Sequence, residues 1–414
     1  MGSSTKHDPF AALRYKEFLF YLTNRFFLTI GIQLQSVVVG WQVYSITHNV
    51  LDLGIIGLAE AIPFIIVSLF SGYVADSYSR KKIILICLSI YILITGILVY
   101  VSTPDLFNLN ATGTWPIYMA VCGIGIVRGF VAAAYPSFLA QLVPRSAYAN
   151  AATWNSTIWH IASILGPACA GFLILLGYQL AYFIDIIFIL IALLAFVFIA
   201  ARPVPARENT ETLMESLGAG IKFVFKNELL LGALSLDLFA VLFGGAVALL
   251  PAFTEELLHC GPNELGLLRA APALGAVIMA LLIAYKPPKQ KAGMNLLVSV
   301  ALFGLATIGF GLATNFYVAF LFLFLTGAFD NVSVVVRHTI LQLSTPDHMR
   351  GRVSAVNSIF IGSSNEIGAF ESGATAQLMG LRPAIVLGGG LTLCVVVGIG
   401  TLSRKLRQLN MDSI

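Results

Sequence analysis

Charged and strongly polar side chains stand singly inside stretches that are otherwise apolar: Arg25, Gln33, Glu60, Arg128, Asp237, Arg269, Asp330, Arg337, Glu366 and Glu371. A charge at the middle of a bilayer costs about 3 kcal/mol even on lenient insertion scales, so residues of this kind face a wet cavity or a partner. Two of them extend into stripes at helical spacing: Arg25, Thr29, Gln33, Ser36 and Gly40 share one face, and Asp330, Ser333 and Arg337 share another. The chemistry open to the set is binding and proton exchange. A carboxylate whose surroundings alternate between water and apolar side chains changes its hold on a proton, and a nearby arginine competes for it. Asp237, Asp330, Glu366 and Glu60 suit that role, while the arginines suit an anionic group such as a catecholate or carboxylate. For Arg25, Asp237 and Arg337, which lie towards segment ends, fixed ion pairs or snorkelling are equal alternatives. Asp185 reads as an interfacial structural residue, and His160 and His338 as packed hydrogen-bonding residues.

Other chemistries lack their residues. There is no HExxH, no GxSxG and no phosphate-binding loop, so neither hydrolysis nor ATP-driven work is expected. The cysteines Cys87, Cys122, Cys169, Cys260 and Cys394 lie far apart with no CxxC or Cys/His spacing, which leaves them as small apolar packing residues. No metal and no cofactor is expected; the proton is the expected coupling ion, and the chain is not expected to be an enzyme.

The elements that position these residues follow from composition. The chain is 58% hydrophobic and 11% charged, against a charged fraction of about 25% in soluble globular proteins. Twelve apolar segments are long enough to cross a hydrocarbon core. They run approximately over 18–46, 54–77, 83–103, 116–143, 147–176, 179–201, 229–258, 263–285, 293–313, 315–344, 348–380 and 382–403. Alternate connections hold the basic residues: Lys6, Arg14 and Lys16, then Arg80, Lys81 and Lys82, Arg145, Arg202 and Arg207, Lys222 and Lys226, Lys286, Lys289 and Lys291, Arg350 and Arg352, and Arg404, Lys405 and Arg407. The intervening connections have none except Arg382. By the positive-inside rule both termini are expected in the cytoplasm, with no cleavable signal peptide. The net charge of +4 thus reflects topology, and no nucleic-acid partner is expected.

The halves echo each other. Pro144, Asn155-Ser156, Gly166 and Gly171 recur at one constant spacing as Pro346, Asn357-Ser358, Gly368 and Gly373. Gly57-x-x-Glu60-x-x-Pro63 likewise matches Gly266-x-x-Arg269-x-x-Pro272. Six segments separate the copies, so they share one orientation, as parallel repeats do. The expected fold is an all-α integral membrane protein of twelve transmembrane helices in two six-helix bundles related by a pseudo-twofold axis. The bundles are 1–201 and 229–414, joined by a cytoplasmic linker over 202–228. After Pro203 and Pro205 the linker sets Leu213, Leu217, Ile221 and Phe225 on one face of an amphipathic surface helix. Glu60 and Arg269, at equivalent positions, are candidates to meet across the bundle interface.

Gly72-Tyr-Val-Ala-Asp76-Ser-Tyr-Ser-Arg80-Lys81-Lys82 resembles the signature loop of the major facilitator superfamily, departing from it at Ser77 and Ser79. Arg128-Gly129-x-x-Ala132 resembles the family's second motif, and Gly166-Pro167-x-x-Ala170-Gly171 the fifth-segment motif of its proton-coupled exporters. The second half, from Asp237 through Arg337-His338-Thr339 to Arg350-Gly351-Arg352, Glu366 and Glu371, is similar to the subfamily that holds the enterobactin exporter and macrolide efflux permeases. The resemblance implies a monomer in the bacterial inner membrane that exports a small amphipathic molecule by proton antiport. It also implies a cytoplasmic gate of Gly72, Asp76 and Arg80 with Arg350 and Arg352, and helix packing through Gly166, Pro167 and Gly171. An importer or lipid flippase on the same scaffold is the alternative; a channel or an intramembrane enzyme fits less well.

Overall fold

The computed structural model describes residues 10–202, 213–285, 291–346 and 349–409. Pro203, Pro205, Arg207, Lys6, Lys286, Lys289 and the linker over 203–212 lie outside these residues. In hydrocarbon every backbone N–H and C=O must be satisfied within the chain, which leaves an apolar segment of this length no option but the helix. The first half runs α1 (Lys16–Thr47), α2 (Val50–Ser77), α3 (Arg80–Val101), α4 (Trp115–Leu142), α5 (Tyr148–Leu176) and α6 (Tyr178–Val197). The linker helix α7 (Leu213–Lys226) leads to α8 (Glu228–Phe243), α9 (Pro262–Tyr285), α10 (Ala292–Gly311), α11 (Phe316–Ser344), α12 (Arg350–Met379) and α13 (Leu381–Leu402). The side chains of Asn49, Asn227 and Asn315 cap helix starts by accepting backbone N–H bonds, and Gly177 and Gly380 turn the chain at positive φ between consecutive helices.

Among the described residues eleven helical stretches are long and apolar enough to span a membrane by themselves, with Glu228–Leu257 taken as one of them. The twelfth, α12, falls short because it carries Asn357, Ser364, Asn365, Glu366, Glu371 and Ser372. It is nonetheless embedded, packed along α2 and α8. The least apolar of the twelve is therefore one that faces the other half, and its polar residues mark a wall of the functional site.

The halves meet along two seams, α5 on α9 and α2 on α12, and the sequence repeat supplies both. A Cβ on Gly266 would stand 2.5 Å from the Pro167 carbonyl and 3.0 Å from Gly171 Cα, so these backbones touch directly. At the second seam a Cβ on Gly373 would stand 2.9 Å from Gly54 Cα, and one on Gly57 would stand 2.7 Å from Ala369 Cβ. Small residues permit this approach, as at other membrane helix interfaces.

Both seams lie towards one end of the molecule, called here the far face, which carries the connections at 48–49, Gly177 and 258–261. At this end one hydrophobic core joins the halves, including Leu53 and Ile174 from the first and Leu249, Phe253, Leu265 and Phe310 from the second. Towards the near face, which carries the 78–79 connection, the second half has a core of its own around Leu230, Leu296, Val336 and Val353. Over its near-face half, α5 buries Ala151 alone before Ala162, and α9 buries nothing beyond Gly275. The bundle is thus closed at the far face and parted at the near face.

Helix α7 turns Val224 inward and rests Gly220 on the Arg352 backbone, while Ile221 and Phe225 stay exposed. That exposure suits a helix lying along a membrane surface.

Candidate functional site

Between the seams the structure encloses a cavity of about 90 Å³ lined by Ser36, Gly40, Glu60, Pro251, Arg269 and Glu366 among others. Pockets for drug-sized ligands run to roughly 300–1,000 Å³. At this size the cavity is smaller than the pocket such a ligand needs.

The centre of the site is Arg128 on α4. One guanidinium nitrogen contacts Glu60 of α2 in the same half and, at 3.3 Å, Glu366 of α12 in the other half. Gly125, one turn earlier, sits under the Glu60 carbonyl, where a Cβ would stand 2.3 Å away, and so lets α4 and α2 approach closely enough for the pair to form. Phe64, with its ring centroid 5.8 Å from the guanidinium, covers one side of Arg128. Arg128 is 36% exposed while its two carboxylates are 17% and 18% exposed. The clasp is reached from the cleft yet largely stripped of water on its acidic side.

A second arginine crosses the interface in the reverse sense. Arg269 on α9 donates to the Ser36 hydroxyl of α1 at 3.4 Å and to the Val247 carbonyl at 2.9 Å. That carbonyl, which also accepts the Leu250 N–H, lies just past a break in the helix: Gly244 and Gly245 interrupt α8 after Phe243 before short turns resume at Ala246, ending in a π-helical turn over Phe253–Leu257. Breaks of this kind occur at membrane depth only where a cavity or a side chain takes up the freed groups. Glu60 and Arg269 line one cavity, but Glu60 is engaged by Arg128 and not by its symmetry counterpart.

Asp237 and Arg337 form an ion pair within the second half, their side chains 8% and 3% exposed, and Asp330 lines the same small void as Asp237. Truncating one partner of such a pair leaves an uncompensated charge and costs about 3–5 kcal/mol, whereas replacing both with apolar residues is close to neutral. Arg337→Ala should therefore lower the melting temperature in detergent far more than Asp237→Leu combined with Arg337→Met. Equal losses in the two variants would refute the pair's structural role.

The remaining sequence candidates separate from the cavity. Arg25 lies over the Tyr135 ring at 4.7 Å inside the first bundle. Gln33 packs against Gly166 of α5, and the Glu371 carboxylate accepts from Thr375 of its own helix at 2.9 Å. Asp185, taken from the sequence for an interfacial residue, is wholly buried on α6.

A profile of the "transmembrane secretion effector" family matches residues 7–414. The chain belongs to this family. It is 26% identical over 383 residues to the enterobactin exporter EntS of Citrobacter koseri, covering 91% of this chain and 88% of that protein. It is 22% identical over 400 residues to the staphyloferrin A transporter of Staphylococcus aureus, covering 94% and 96%. Among solved structures, a D-xylose–proton symporter superposes with a TM-score of 0.72 at 15% identity over 96% of this chain and all of that one. A bacterial homologue of the human lysosomal transporter Spinster, crystallised inward-facing and unoccupied, superposes with a TM-score of 0.71 at 14% identity, covering 96% and 97%. These neighbours share the major facilitator fold, and the chain is a membrane transporter of that superfamily, not an enzyme.

In this secretion-effector chain the signature loop holds itself. Arg80 binds Asp76 at 3.0 Å, the Ala75 carbonyl at 3.1 Å and the Ser137 carbonyl of α4 at 3.2 Å, tying the α2–α3 turn to the near end of α4. Gly72 faces open space. Arg350 donates to the Gln342 carbonyl at 3.5 Å, and Arg352 lies near Met349 and under Gly220 of the linker helix. The packing motif divides its work: Gly166 seats α5 on α1 against Ile30 and Gln33, and Gly171 seats it on α9 across the seam.

Sequence reasoning missed the far-face closure. Tyr44 of α1 bonds Glu256 in the π-helical turn, and His48 lies 3.9 Å from Glu255. Two adjacent glutamates in a short connection were the only signal for it, and their partners are set by the meeting of the halves.

Proposed function

We propose that this transporter exports a small amphipathic molecule, siderophore-like or drug-like, from the cytoplasm by proton antiport and alternating access. The near face is then cytoplasmic, both termini lie there, and the membrane is a bacterial inner membrane. The bodies that rock are 1–201 and 229–414 about the linker 202–228, and one copy of the chain suffices. The observation that carries the reading is Arg128 held between Glu60 of its own half and Glu366 of the other. With the near face parted, one guanidinium holds both carboxylates and the cleft admits cargo from the cytoplasm. When the bundles rock the other way, Glu366 moves off with its half and takes a proton from the outer side. Re-forming the clasp returns that proton to the cytoplasm as the next cargo enters. Names of the curated relatives support export of an iron-binding compound, and Arg128 and Arg269 provide cations for its acidic groups.

The test is proton movement in energised inside-out vesicles, read with a pH dye as catecholate siderophores, macrolides and lipophilic cations are added in turn. One class should release protons through the wild type and fail to do so through Glu366→Gln. No response to the panel from folded, inserted protein would overturn proton-coupled export.

A further inference from the structure

Among the described residues Asp185 is the one fully buried acid of the first bundle. It sits on α6 with no exposure, facing α1 and α3. Among the described residues neither of its oxygens has a well-formed hydrogen bond, no cation acts on it, and Thr95 is the one side chain placed to donate to it. Glu60, Glu366 and Asp237, in contrast, are each held by a guanidinium. An ionised carboxylate left this way bears a desolvation penalty of several kcal/mol with only that hydroxyl to offset it.

The surroundings are built for a group that changes state. Gly31 of α1 makes the room: a Cβ there would stand 2.5 Å from the Asp185 Oδ1. The polar neighbour within reach is Thr95 of α3. Its hydroxyl donates to the Tyr91 carbonyl at 3.0 Å and accepts from Gln35 at 3.2 Å, so its hydrogen is already committed. A protonated Asp185 can donate to the remaining lone pair of that oxygen. An ionised one is served only if the hydroxyl turns away from the Tyr91 carbonyl to face it. Thr95 can thus serve either state by one rotation.

The groups facing the carboxyl are few. Tyr182 comes from its own helix and Tyr91 from α3, while α1 presents Gly31 and, through Thr95, Gln35, neither of which ionises. The Tyr91 hydroxyl donates to Gln35 and stands in the combined field of Asp185, Glu60 and Arg128. The buried acid and the interface clasp therefore share a neighbour.

We propose that Asp185 is a second proton-binding site, in the interior of the first bundle, which loads and unloads during the transport cycle. The proton comes from water on the open side, bonds to a carboxylate oxygen, and returns to water after the bundles rock; no other bond changes. The role in transport rests on the proton-coupled reading above, but binding itself does not.

The experiment therefore has two arms. Purified wild type and Asp185→Asn, matched for melting temperature, are titrated between mildly acid and mildly alkaline pH in weak buffer. The asparagine variant should bind one proton fewer per chain. Equal uptake by the two overturns the proposal, whatever transport does. In proteoliposomes with a catecholate siderophore, Asp185→Asn should keep exchange and lose proton-driven accumulation. An unaltered pH profile of accumulation in that variant also overturns it. Thr95→Val guards against misfolding of the first variant: it removes the rotating hydroxyl and should displace the pH profile, and a profile identical to wild type counts against the site. A wild type that accumulates without moving protons would defeat the antiport reading, and the titration arm would still stand.

Discussion

Arg128→Ala will abolish transport while leaving a protein that inserts, and Arg128→Lys will retain only part of the activity. The guanidinium nitrogen that contacts Glu60 also contacts Glu366, so the two carboxylates converge on one point. Two unit charges about 4 Å apart interact by roughly 4 kcal/mol at an effective dielectric of 20. Removing Arg128 turns that from an attraction on each acid into a repulsion between them, in the state that should receive cargo. Each 1.4 kcal/mol is about a tenfold change in an equilibrium, so a fall in transport of about a hundredfold or more is expected. Lysine restores charge but not the reach and fixed planar donors of the guanidinium that place one nitrogen between the two acids, hence the partial rescue, about tenfold below wild type. Adding Glu60→Gln to Arg128→Ala should recover melting temperature, because one of the opposed charges is gone, without recovering proton movement. Wild-type accumulation by Arg128→Ala would remove the clasp from the mechanism.

How far the sequence reveals this arrangement depends on what each signal constrains. Segment lengths set the order and extent of the helices, and the structure follows the expected segments with ends displaced by a few residues, except that α8 stops at Phe243 where the expected segment runs to 258. The repeat goes further. Gly171 and Gly373 are equivalent in sequence, as are Gly57 and Gly266, and the structure pairs members of the first set with the second set's helices to make both seams. A constraint on symmetry becomes a constraint on contact, because two like helices must meet two like partners. The charges are different. Glu60, Arg128, Arg269 and Glu366 are conspicuous in the chain, yet their pairing depends on the rotation of each helix about its axis and on how far the halves have rocked. Equivalence suggests Glu60 with Arg269, and packing gives Glu60 to Arg128. The break at Gly244-Gly245 is hidden for a related reason: glycine is common in membrane helices, and the residue types alone do not show that this pair interrupts one. Asp185 is misread because its distance from a segment end says nothing of the α1 and α3 neighbours that bury it.

Gly266→Val will shift the transporter away from the form closed at the far face. The Gly266 Cα hydrogens face the Pro167 carbonyl and Gly171, where a Cβ would be 2.5 Å and 3.0 Å from the nearest backbone atoms. Backbone cannot rotate aside as a side-chain tip can. Inside one rigid bundle such overpacking costs about 1–3 kcal/mol of stability. Here the crowded surfaces belong to opposite halves, so parting the seam relieves the clash and the cost falls on one conformation alone. A change of that size moves the balance between two states by roughly 5- to 150-fold. Gly57→Val, which would set a Cβ 2.7 Å from Ala369 Cβ on the symmetry-related seam, should act in the same direction. The Tyr44–Glu256 contact at the same end should open with the seam. Spin labels at Leu175→Cys on α5 and Leu267→Cys on α9, both exposed positions, would report it through their distance distribution. The native cysteines would be replaced beforehand. A longer distance in Gly266→Val, with the melting temperature little changed, is the expected result, because the variant rests in a form that already exists. A lower melting temperature with the distance unchanged would mean that the seam is permanent packing, and the rocking of the halves about it would have to be abandoned.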